Sequence, residues 1–107
     1  MRRRDVFFAL ADPTRRAILD LLRDRGPLNA GAIAARFRRA TRPGISRHLR
    51  VLRECRLVAT ESKGRENLYA LDARSIVQAR DGWLATFSKS HGENLKALRR
   101  IVERGAV

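Results

Sequence analysis

The sequence is short of cysteine, of acidic residues and of long apolar runs, and each shortage narrows what the chain can be. A single cysteine, Cys55, rules out an intrachain disulfide and leaves too few thiols for a finger-type zinc site, which fits a reducing, cytoplasmic setting. The longest apolar run, Val6 to Ala11, stops at Asp12 and Pro13 and is too short for a signal peptide or a membrane span. There is no glycine-rich phosphate loop, and neither histidine has a plausible nucleophile and carboxylate to work with. Neither catalysis nor a cofactor is expected. Acidic side chains number 11 against 24 basic ones, and the net charge of +13 calls for a polyanionic partner.

What is present suffices for one small domain. The chain has 107 residues, 44% of them hydrophobic and 33% charged, which is the balance of a folded chain rather than a disordered tail. Residues 4–11 are apolar nearly all round any helix they form, so that helix wants cover on more than one side. Asp12 as cap, Pro13 at the first helical position and the stripe Ile18, Leu19, Leu21 and Leu22 predict a second helix, ended by Gly26 and Pro27. Asn29 caps a short third helix expected to run to about Phe37, with Ile33, Ala34 and Phe37 on one side.

The stretch that follows is the most informative. Thr41 is a good N-cap, Pro43 is tolerated in a first turn, and Ile45, Leu49 and Leu52 recur at i, i+4 and i+7. The outward face of that helix holds Arg42, Ser46, Arg47, Arg50, Arg53 and Glu54, with His48 on the flank of the apolar stripe. Residues 57–62 and 66–72 alternate around Lys63, Gly64 and Arg65 and read as a β-hairpin with a cationic tip, Leu68, Ala70 and Val58 facing inward.

Asp72 caps a final helical region in which Leu84, Phe87, His91, Leu95, Leu98 and Val102 recur every three or four residues. A bend is expected near Gly82, since glycine costs a helix about 1 kcal/mol relative to alanine. The long helix after it, about residues 83–104, carries more apolar surface than one small core can cover, and a second copy would bury it.

Two short helices, the second basic outside, followed by a cationic hairpin form a winged helix-turn-helix pattern that suits the DNA major groove. Through ALADPTRRAILDLL, ISRHLRVLRECRLV and SKGRENLYALD the chain resembles the ArsR-type winged helix-turn-helix repressors over about residues 4–104, and its C-terminal part is similar to their metal-independent, SdpR-like branch. The resemblance implies a mostly α fold with a β-hairpin wing in the order α-α-α-α-β-β-α, a single domain spanning residues 1–107. It also implies a homodimer built on the first and last helices, Val6, Phe7, Leu10, Leu84, Phe87, His91, Leu95, Leu98 and Val102 among its interface residues, and repression by occupying an inverted repeat in double-stranded DNA. Reading residues carried over from the family fall at Arg42, Ser46, Arg47 and His48, with Thr41 and Arg50 nearby and Lys63 and Arg65 on the wing. Arg47 is suited to guanine, Thr41, Arg42 and Arg50 to phosphates, and His48 equally to DNA or to a structural role.

The metal sites of related sensors are not expected here. The helix before the recognition helix has no cysteine, His91 and Glu93 are two residues apart and so on different helix faces, and Asp81 has no nearby histidine. Three other readings stay open: a non-specific nucleic-acid-coating protein using charge alone, a protein-interaction module whose C-terminal helix binds a different partner, and a redox switch at Cys55, whose neighbours Arg53 and Arg56 would favour a thiolate.

Overall fold

A computed structural model describes residues 5–88 and 91–105, the side chain of His91 lying outside the described set. The elements are α1 (Val6–Leu10), α2 (Pro13–Arg25), β1 (Leu28–Asn29), α3 (Ala30–Ala34), α4 (Arg42–Glu54), β2 (Val58–Lys63), β3 (Glu66–Leu71), α5 (Arg74–Ser88) and α6 (His91–Gly105). They divide into two compact units, residues 1–77 and 78–107.

In the first unit each helix begins on a side chain that accepts a first-turn amide. Asp5, Asp12, Asn29 and Thr41 receive the N–H groups of Phe8, Arg15, Ala32 and Gly44. The core is twelve buried apolar residues drawn from α1, α2, α3, α4, the turn after α4 and β2, with Ile18, Leu22, Ile33, Ile45, Leu49, Leu52 and Leu57 the largest of them. Cys55 belongs to this core and packs there as a small apolar side chain. The turn after α4 is a Schellman motif: Arg56 N–H donates to Arg53 O (3.0 Å) and Leu57 N–H to Leu52 O (2.8 Å), with Leu57 and Leu52 both buried. Its left-handed position is held by Arg56 at φ 61°, where glycine is the usual occupant.

The sheet has three antiparallel strands in the order β1-β3-β2. β1 is an addition to the sequence reading: a two-residue strand leaves no alternation to detect, and it exists because Leu28 pairs with Tyr69 and Asn29 with Leu68. The register also corrects which residues face inward. Val58 stands opposite Leu71 and Thr60 opposite Tyr69, so Val58, Tyr69 and Leu71 share the core face, while Leu68 and Ala70 take the other side. A one-residue error in phase reverses a strand's two faces, and the apolar stretch Leu68 to Leu71 gives no clean alternation to fix it.

Two helix boundaries differ from expectation. α3 ends at Ala34, and tight backbone bonds from Arg36 N–H to Ile33 O and Phe37 N–H to Ala34 O carry the chain to Phe37 without an α-helical turn. α5 passes through Gly82 unbroken, and the apolar stripe assigned to one helix is divided between α5 and α6. Glycine's penalty is too small to end a helix alone. In the last turn of α5, Thr86 Oγ1 donates to Trp83 O (2.7 Å) and Ser88 Oγ to Ala85 O (2.8 Å), bonds that compete with the backbone ladder.

The second unit buries none of its described residues. Trp83, Leu84, Phe87, Leu95, Leu98, Ile101 and Val102 are 47–67% exposed, with Trp83 edge-on to Phe87 at 5.1 Å.

Candidate nucleic-acid interface

Burial divides α4 into two faces. Ile45, Leu49, Val51 and Leu52 are buried, whereas Arg42, Ser46, Arg47, Arg50 and Arg53 are exposed. Among the described residues none of these four arginines is ion-paired, so their charge is available to a partner. Thr41 holds the leading end through its bond to the Gly44 amide (3.1 Å). The Arg42 side chain lies back over α3, close enough that a Cβ at Gly31 would meet its Nη2 at 3.0 Å. Gly31 therefore leaves room for that guanidinium between the two helices.

The wing is built on the same sheet. β2 and β3 are joined by a two-residue turn, Gly64 at φ 64° and then Arg65, flanked by the Lys63–Glu66 pair. Lys63 and Arg65 are exposed at its tip. Beside the turn, Glu66 Oε1 accepts from Asn29 Nδ2 (2.9 Å) while Asn29 Oδ1 caps α3, so one side chain ties wing to helix. Between α4 and β3 lies a cleft lined by Ser46, Leu49, Arg50, Arg53, Glu54 and Tyr69. The alternation of β3 puts Tyr69 on the core-facing side, and so the tyrosine at this cleft was missed from sequence.

His48 is drawn away from the exposed face. Its Nε2 is 4.0 Å from Asp12 Oδ2 and its Nδ1 is 3.3 Å from Arg15 Nη1. A guanidinium can only donate, so the Arg15 contact is a hydrogen bond in the tautomer whose Nδ1 carries no proton. Arg15 also donates from Nε to Ala9 O (2.8 Å) and from Nη2 to Phe8 O (3.1 Å), lying over the Phe8 ring, while Arg16 donates to Leu10 O (2.6 Å). The open carbonyls of α1 are thus satisfied from α2, and Arg15 links α1 to α4. Burial acts to raise the Asp12 carboxyl, but the Arg15 amide, the charge of the nearby His48 ring, the Arg15 guanidinium and the Thr14 amide together outweigh it and hold it below its ordinary value. Asp12 was read from sequence only as a cap and Arg15 was not singled out; a contact spanning 33 positions leaves no local signal.

The other expected positions are spread over both units. Val6 and Leu10 are half-buried against the core of their own chain, while Phe7 is exposed, as are Leu84, Phe87, Leu95, Leu98 and Val102. His91 opens α6, and its side chain lies outside the described residues. Among the described residues no group of three or more His, Cys, Asp and Glu is placed to hold a metal, and no helix is long and apolar enough to cross a membrane.

A family model described as a helix-turn-helix domain matches residues 10–61. Over 83 residues the chain is 39% identical to the transcriptional repressor SdpR of Bacillus subtilis (strain 168), covering 78% of this chain and 89% of that protein. A solved ArsR-like transcriptional regulator from Rhodococcus sp. RHA1 has a TM-score of 0.74 at 31% identity, covering 92% of this chain and 88% of that one. The chain belongs to the ArsR-type winged helix-turn-helix family. This ArsR-type protein is a DNA-binding transcriptional regulator, and its relatives are regulators rather than enzymes. It is also similar to the homodimeric winged helix-turn-helix DNA-binding domain Mb0332 (fragment 1–100) of Mycobacterium bovis, with a TM-score of 0.56, 28% identity, and coverage of 78% of this chain and 74% of that one.

Proposed function

We propose that the protein is a homodimeric, cytoplasmic repressor that occupies an inverted-repeat operator and blocks transcription. The observation that carries the reading is the division of α4, whose exposed Arg42, Ser46, Arg47 and Arg50 stand opposite a stripe held rigidly in the core. A helix so anchored enters a major groove at a fixed angle, with Arg47 pairing to guanine and Thr41, Arg42 and Arg50 gripping phosphates. Lys63 and Arg65 would add backbone contacts from the wing. His48 acts here as a positioning residue, holding α4 to Asp12 and Arg15.

Dimerisation is supported by the exposed apolar side chains of α5 and α6, by exposed Phe7, and by the homodimeric relative. A two-fold axis would set the recognition helices about 34 Å apart, one turn of duplex. The test selects bound duplexes from a random library, then competes the recovered site against random duplex while light scattering reports mass. An inverted repeat bound by a dimer is the expected result. Equal affinity for recovered and random duplex, or a monomer bound to a single half-site, would overturn it.

A further inference from the structure

We infer that the turn between α3 and α4 carries a second phosphate-binding surface, gripping the sugar-phosphate backbone of the duplex beyond the reach of the recognition helix and wing. The inference rests on the DNA-binding reading above. Arg36, Phe37, Arg38, Arg39 and Ala40 form, with Thr14, a groove of about 480 Å³. Arg36, Arg38 and Arg39 are exposed, and among the described residues none is ion-paired. No acidic side chain lines the groove.

The segment is held firmly for a turn. Arg36, Phe37 and Ala40 each donate their N–H to the carbonyl three residues back, and Phe37 is half-buried against the core between the arginines on either side. Thr14 is the second residue of α2, and Ala40 immediately precedes Thr41, the cap of α4. The groove therefore opens between the leading ends of two 13-residue helices; that of α4, capped by the neutral Thr41, adds its dipole to the positive potential of the arginines, whereas that of α2 already holds the Asp12 carboxylate. Three like charges within four residues repel one another, and a bound anion relieves that repulsion. Ala40 leads directly into Thr41 and Arg42 at the head of α4, so a duplex bound along that helix would extend toward this groove, and its phosphodiesters are an anion of matching charge.

The experiment compares the wild type with R36Q/R38Q/R39Q and R36K/R38K/R39K on a random-sequence duplex and on the duplex recovered by selection, with affinity measured across salt concentration. Each neutralised phosphate contributes about 0.9 to the slope of log K against log salt, so the glutamine variant should be shallower by about 2–3 on both duplexes. Its preference for the selected duplex should be unchanged, and the lysine variant should regain the wild-type slope. Thermal melting checks the fold; if the triple glutamine variant melts early, the single variants are read instead, each lowering the slope by about 0.9. A wild-type slope in a folded glutamine variant, or in all three single variants, overturns the groove assignment alone. Absence of salt-dependent binding by the wild type would overturn the DNA reading with it.

Discussion

Two helices of this chain carry nearly the same apolar pattern and meet opposite fates. In α4, Ile45, Leu49 and Leu52 are fully buried within the first unit. In α6, Leu95, Leu98 and Val102 repeat at similar spacing and all are about half exposed. Periodicity says which face of a helix seeks burial; what covers that face depends on the rest of the chain and on its partners. The first unit gathers enough elements round α4 to close a core, while the second consists of helical chain with no buried side chain among its described residues. The likeness in pattern and the difference in burial are what the substitutions below would break or sharpen.

The largest expected effect separates the two helices directly. Leu52→Ala empties a fully buried site and should cost about 2–5 kcal/mol in urea unfolding. Leu98→Ala, at a half-exposed site, should leave the stability of dilute protein nearly unchanged and should weaken self-association followed by sedimentation. Comparable loss of stability from both substitutions at high dilution would show that α6 is covered within one chain, and the contrast between the units would fail.

A smaller effect distinguishes reading from gripping within the first unit. Arg47→Ala should lower discrimination between the selected duplex and single-base variants of it by about 1–3 kcal/mol at the guanine it reads. Lys63→Ala should weaken binding evenly across sequences and reduce the salt slope by about 0.9. Uniform loss for Arg47→Ala would move it from the reading group to the gripping group.

The backbone after α4 gives a prediction of opposite sign. Arg56 sits at φ 61° in the Schellman turn, a conformation that costs a side-chain-bearing residue about 1–2 kcal/mol and glycine little. Arg56→Gly should therefore raise stability by about 1 kcal/mol after the flexibility of glycine in the unfolded chain is offset. Destabilisation in urea would mean that the arginine side chain contributes more than its backbone strain costs.

These same residues show how much was legible beforehand. Caps and stripes are local, and Asp12, Asn29, Thr41 and the Ile45-Leu49-Leu52 row appear in the structure where the sequence puts them. The outward placement of Ser46, Arg47 and Arg50 follows from the same periodicity. What escaped depends on contacts between distant positions. β1 exists only because β3 lies beside it, the inner face of β3 is set by its pairing with β2, and the contacts of His48 are to Asp12 and Arg15, more than thirty positions away at the start of α2. The continuity of α5 through Gly82 escaped for a different reason: glycine's penalty marks a weak point but is too small to end a helix that the residues on either side continue.

The smallest expected effect lies where the sheet hands over to α5. Asp72 accepts from the Arg74 guanidinium at 2.9 and 2.7 Å and from the Arg74 amide at 3.1 Å. The side-chain bonds to Arg74 come first, then its amide and its charge, and together they outweigh burial and bring the Asp72 carboxyl from 3.8 down to about 2. A carboxyl lowered in the folded state stabilises it above the unfolded value, and that contribution is lost as pH falls through the folded one. Asp72→Asn should thus lower the urea midpoint slightly at neutral pH, because the Arg74 side of the pair stands in solvent and is screened there, although Asp72 itself is mostly covered. The gap from wild type should hold down to about pH 4 and then narrow as pH falls toward about 2. A gap constant through that window would show that the start of α5 depends on the shape of the Asp72 side chain rather than its charge, and the wild-type Arg74 bonds would then be exchangeable for neutral ones.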